Sequence, residues 1–155
     1  MVTSWIWKSD AFLAAAVKTK FAHRFLAVWA ADCAERVLPG FEREFPDDDR
    51  PRTAIAACRR WARTGIFKMA DVRRDSLAAH AAARQADEDT AARFAARAAG
   101  QAIATAHVAD HASGAADYAL KAMGSLPRTG RGANLVERER KWQSARLRKL
   151  LRSIK

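Results

Sequence analysis

A chain of 155 residues, half of them hydrophobic, can enclose one proper core but not two independent ones. Period-2 runs of Val, Ile, Thr and aromatic residues are nearly missing, which excludes a strand-rich fold. No apolar run approaches the roughly 20 residues of a membrane span and no early stretch has the layout of a secretory leader, so a cytoplasmic protein is expected. The net charge of +11 gathers at one end: residues 1–127 carry 18 Lys and Arg against 15 Asp and Glu, whereas residues 128–155 carry 10 against 2. That asymmetry points to a basic C-terminal segment rather than a basic domain.

The opening MVTSWIWK carries two tryptophans without periodicity and reads as a lead-in. Ser9 and Asp10 make a helix start, predicting a helix from about Asp10 to Val17. In FAHRFLAVWAADCAERVL, Ala22, Leu26, Trp29, Cys33 and Val37 fall on one stripe, widened by Phe21, Phe25 and Val28, and predict a core helix. Pro39-Gly40 ends or kinks it, and Phe41 to Phe45 allows one more turn. The connection Pro46 to Arg52 places three acids ahead of the next helix, with Pro51 suited to its first turn. That helix, TAIAACRRWARTG, turns Ile55, Cys58 and Ala62 inward, with Trp61 a further candidate for that face, and stops at Gly65. Met69 to Gln85 is the next helix, with His80 three residues after Leu77 and so placed on an apolar side.

After a short acidic turn at Ala86 to Asp89, an alanine-dominated helical pattern runs from about Thr90 to Met123. Alanine has the best helix propensity and lets neighbouring helices approach closely. A break near Val108 to Gly114 would make the two halves separate antiparallel helices. Gly124 to Asn134 is a flexible connection. Asn134 can cap a basic amphipathic helix on which Val136, Leu147, Leu150, Leu151 and Ile154 line one side. The expectation is all-α: a single-domain bundle of about six helices, with residues 1–124 the bundle, 125–133 a linker and 134–155 the basic helix. Cys33 and Cys58 sit among apolar neighbours without metal-site spacing and read as buried free thiols.

Three groups of residues could carry function. Ile103, His107, His111 and Tyr118 share a helical stripe if the helix is continuous, and His107 with His111 at i and i+4 can bind one divalent metal, with His80 and Asp110 or Asp117 completing a site between helices. HVADH lacks the glutamate of the HExxH metalloprotease motif, and inward histidines commonly serve as hydrogen-bonded core features, so no cofactor is expected. Arg138, Arg140, Lys141, Arg146, Arg148, Lys149 and Arg152 form a positive face that could bind nucleic acid, with Trp142 the sole stacking aromatic. Asp47, Asp48 and Asp49, together with Trp142 and Arg146, are candidate contacts for a protein partner. A catalytic or metal role for the acidic triplet competes with capping and solubility, which are its ordinary work. No nucleophile with an adjacent base, glycine-rich phosphate loop or catalytic carboxylate pair is identifiable, so a non-enzymatic protein is expected.

The collinear blocks ADCAERVLPGFEREFPDDDRPRTAIAACRRWARTG, AAHAAARQA and AARAAGQAIATAHVADHASGAADYALKAM, spread over residues 27–124, resemble the immunity-five-like group of bacterial immunity proteins. That group is thought to accompany polymorphic toxins. The resemblance implies a cytoplasmic binding protein that neutralises a cognate toxin by tight association, through a rigid scaffold and a complementary, partly aromatic surface. It brings no catalytic motif. A histidine is common in the group where Gln101 stands here, and the tryptophan-rich start and basic tail are less typical of it. A nuclease toxin with a basic cleft would call for an acidic face, for which Asp47–Asp49 and Asp87–Asp89 are the local supply; an acidic toxin surface would be steered by the basic tail.

Overall fold

The computed structural model describes residues 22–127 and 134–154, together with Ala15. The lead-in with Trp5 and Trp7 and, apart from the helical Ala15, the predicted helix Asp10–Val17 lie outside the described residues, as do residues 128–133. The described chain is all-α: six helices and one extra helical turn in a single bundle, as the sequence predicts. They are α1 (Ala22–Val37), the turn α2 (Pro39–Glu42), α3 (Arg50–Thr64), α4 (Met69–Gln85), α5 (Ala91–Ala104), α6 (His111–Gly124) and α7 (Leu135–Leu151).

The local chemistry sets most boundaries. Pro39 takes the first position of α2 directly after Leu38, so the chain bends rather than stops and drives Phe41 into the core, where its ring stacks on Phe45 at 5.0 Å. Pro51 lies in the first turn of α3, and Asp48 accepts the Arg50 amide at 3.1 Å just ahead of it. At the other end Gly65 takes φ +70°, a left-handed geometry that suits glycine, and its N–H donates to the Trp61 carbonyl at 2.7 Å. Thr90 caps α5 through its hydroxyl, which accepts from the Arg93 amide.

Helix α5 is the centre, packing against α1, α2, α3, α4 and α6. It is buried on almost every side, by Ala92, Ala95, Ala96, Ala98, Ala99, Gly100, Ala102 and Ile103. A helix surrounded in this way must be small-sided, and the alanine run supplies that. The convergence of backbones shows at Cys58, whose thiol lies 3.3 Å from the Ala27 carbonyl of α1 and 3.1 Å from the Ala102 carbonyl of α5. Cys33 and Cys58 are both buried and free. Burial pushes the Cys58 thiol up to about 12 and raises Cys33 as well, so both stay protonated and unreactive.

Helix α7 packs on α1 and α6 through Leu147 and Leu151 of the predicted stripe, joined by two polar residues that the stripe did not include. Its buried residues are Glu139, Gln143, Leu147 and Leu151, spaced four apart. Val136, Leu150 and Ile154 are only half-buried. The polar pair is held by specific bonds: Arg36 grips Glu139 with two bonds of 2.8 and 2.9 Å and Gln143 Nε2 donates to the Ala116 carbonyl at 2.9 Å, while Trp29 Nε1 donates to the backbone carbonyl of Gln143 at 2.9 Å. Leu77 corrects a second expectation. It is 60 % exposed although His80, one turn on, turns inward.

Candidate functional site

The predicted stripe of Ile103, His107, His111 and Tyr118 does not exist as one helical face, because the helix breaks after Ala104. Thr105 is fully buried; its hydroxyl donates to the Gln101 carbonyl at 3.1 Å, and its own carbonyl accepts from His23 Nε2 at 2.5 Å. That long-range bond takes the carbonyl that would otherwise continue the ladder. His107 therefore lies exposed in the turn, its ring stacked with Phe67 at 6.2 Å, while His111 opens α6. Two antiparallel helices result, as the sequence allowed.

The histidines nonetheless converge at the junction of α4, α5 and α6. His80 Nδ1 lies 2.9 Å from Arg97 Nη1; a guanidinium can only donate, so Nδ1 accepts and the neutral ring carries its proton on Nε2. That Nε2 edge presses on Gly100, where an added Cβ would stand 2.7 Å from it. His111 Nδ1 lies 2.8 Å from Gln101 Oε1 and donates to it, leaving Nε2 with its lone pair. The Gln101 amide in turn crowds Gly114, where a Cβ would stand 2.9 Å from Oε1. Ser76 completes the junction by donating to the Gly100 carbonyl at 3.1 Å. Two glycines thus open the space in which an imidazole from α4 and an amide from α5 meet their neighbours.

Burial, followed by Arg97, Arg84 and His111, pushes His80 down to about 4. Burial and then His107 lower His111, against a smaller opposing effect of Asp110. Both rings are neutral at neutral pH. Neutral imidazole is the metal-binding form, yet the junction does not offer the predicted ligand set. His80 has one nitrogen under a guanidinium and its proton on the other, and among the described residues no group of three or more His, Cys, Asp or Glu side chains is arranged to hold a metal ion.

The candidate partner contacts lie elsewhere. Asp48 is held by Arg50 at 2.7 Å and accepts from Gln85 at 3.1 Å, while Asp47 and Asp49 are exposed. The bond to Gln85 brings the triplet beside the exposed Asp87, Glu88 and Asp89, making one acidic pole. Trp142 is half-buried beneath the Arg36 guanidinium, 3.9 Å from the ring centre. Arg146 reaches Asp32 at 2.7 Å, an acid that Arg59 also engages at 2.9 Å. Part of the basic face of α7 is therefore spent inside the molecule, while Arg138, Lys141, Lys149 and Arg152 face solvent.

One surface has no counterpart among the predicted sites. Ile66, Phe67, Met69, Leu77 and Val108 are large apolar side chains standing 38–68 % exposed. The signal was present as IFKM, an apolar run in the short connection between Gly65 and α4, where polar residues are the norm.

The family model described as "Imm-5 like putative immunity protein" matches residues 17–150, and the chain belongs to that family. The match extends beyond residues 27–124 into α7, which the structure packs onto the bundle. No curated protein and no solved structure matches the chain.

Proposed function

We propose that this chain is a non-enzymatic immunity protein that neutralises a cognate bacterial toxin in the cytoplasm by tight protein–protein association. The observation that carries this reading is membership of the immunity family along residues 17–150. The alanine-packed bundle supports it, since a rigid scaffold loses little conformational entropy on binding. No helix of the described residues is long and apolar enough to cross a membrane.

The acidic pole at Asp47–Asp49 is one surface such a partner could use. Trp142 and Arg146 would have to exchange their bonds with Arg36 and Asp32 to join it. Binding of a divalent metal at His80, His107 and His111 receives less support, because His80 and His111 are already bonded to Arg97 and Gln101; nucleic acid along α7 has Arg138, Lys141, Lys149 and Arg152 open to solvent, but Arg146 is held by Asp32 and Trp142 lies under Arg36. Co-expression with the cognate toxin domain tests the main reading. Restored growth and a stoichiometric complex on purification are expected; growth arrest unrelieved by abundant, folded protein would overturn it.

A further inference from the structure

We propose, resting on the immunity reading, that the toxin is engaged by the end of the bundle formed by the α3–α4 connection, the outer face of α4 and the α5–α6 turn, and that the toxin surface seated there is acidic around one large apolar side chain. This end is opposite the acidic pole: α4, 17 residues long, runs from Met69 here to Gln85 there, about 25 Å away.

The exposed apolar residues form one patch rather than scattered points. Ile66, Phe67 and Met69 follow one another out of α3, Phe67 stacks on His107 beside Val108, and a groove lined by Met69, Arg73, Arg74 and Leu77 carries the surface two turns along α4. Clustered apolar exposure of this kind marks an interaction surface. Beside it, between α3 and α4, opens a socket of about 220 Å³ with an apolar wall of Trp61, Ile66, Val72 and Ile103 and a charged remainder that includes Arg60, Lys68, Asp71 and Asp75. Benzene fits an engineered cavity of ~150 Å³, so the socket admits one aromatic or large aliphatic anchor, the arrangement in which interface energy concentrates.

The charges choose the partner. Arg60, Lys68, Arg73 and Arg74 surround the patch against Asp71 and Asp75, and Arg74 already engages both acids at 3.1 Å. The net field is positive. A second copy would set one cationic rim against another, and a toxin's basic nucleic-acid cleft would be repelled likewise, whereas an acidic rim is attracted. Neutralisation at this end therefore covers an acidic toxin surface and does not imitate a polyanionic substrate.

The test measures affinity of the full chain for the toxin domain whose growth arrest it relieves, with wild type and with Phe67→Glu/Leu77→Glu. Both positions are exposed, so the variant should unfold at the wild-type temperature, which circular dichroism checks. Weakening by roughly 100-fold or more with an unchanged melt supports the proposal. Unchanged affinity, or loss on Asp47→Lys/Asp49→Lys with none on the apolar variant, overturns it while leaving the immunity reading intact. Protection by wild-type protein that does not bind the toxin overturns both. Two further outcomes also overturn it: sedimentation of wild type alone as a dimer that the variant dissociates, which gives the patch to a second copy, and binding to phosphatidylglycerol vesicles that the variant abolishes, which gives it to lipid.

Discussion

Gly100 owes its identity to a side chain from another helix. Its missing Cβ is the space that His80 fills, so Gly100→Ala gains helix propensity locally yet forces the imidazole off Arg97. The substitution should cost about 1–3 kcal/mol in urea unfolding, and His80→Ala in the same chain should recover part of that loss. The same ring gives a pH signature. Its folded value of about 4 lies below the ordinary histidine value, so the unfolded chain binds the proton first as pH falls. The contribution is fully present above about pH 6.5, is lost progressively toward pH 4 and is flat below, amounting to up to about 3 kcal/mol. Comparing wild type with His80→Gln isolates it from the carboxylates, which act lower on the scale. Equal pH slopes for the two proteins between pH 6.5 and 4.5 would contradict the buried neutral ring.

At the scale of elements, α7 is tied down by two polar residues, Glu139 and Gln143, in addition to the expected Leu147 and Leu151. Glu139 is almost fully buried and depends on the two bonds from Arg36, whose own side chain is 40 % exposed. Glu139→Ala should therefore cost about 3 kcal/mol by leaving part of the guanidinium unpaired, and Glu139→Gln less, because one bond survives. The expected sign of α7 detaching is earlier proteolytic cleavage near residue 134 in the alanine variant. Cys33 and Cys58 provide a matching probe of the central helices: neither should react with a thiol reagent until the bundle unfolds. Helix positions were legible because alanine runs, Pro51 and Gly65 act locally. The end of α5 was not, since the His23 bond to Thr105 spans 82 positions in the chain. Nor was the polar half of the inward face of α7, since the partners of Glu139 and Gln143, Arg36 and Ala116, are equally remote from any local pattern, whereas Leu147 and Leu151 followed from the apolar stripe. The histidine junction was half legible: the three rings were singled out, but that His107 turns away from it, and that His80 accepts from Arg97 and His111 donates to Gln101, appears only in three dimensions.

For the whole molecule, the charge distribution separates two ends with different chemistry. An acidic pole at Asp47–Asp49 and Asp87–Asp89 faces away from a cationic, apolar end at Ile66–Leu77. The overall excess of +11 and the basic tail were evident from composition, but composition does not show that Arg146 is spent on Asp32 or that Trp142 lies under Arg36. Nor does it show that five apolar side chains share one surface. Association with an acidic partner should weaken with salt mainly through its on-rate, as expected for rim charges, while dissociation follows the apolar anchors. Stopped-flow binding at two ionic strengths separates the two. A salt-independent on-rate would contradict the steering role of Arg60, Lys68 and Arg73.

The central claim, neutralisation by association rather than by chemistry, is tested most directly by titrating a fixed amount of active toxin with this chain and reading residual toxin activity. The account predicts a linear fall that ends at one equivalent, with activity returning when the complex is dissociated and the toxin refolded. Complete loss at a small fraction of an equivalent, or toxin that stays inactive after separation, would mean that the chain modifies its target catalytically and would contradict the account.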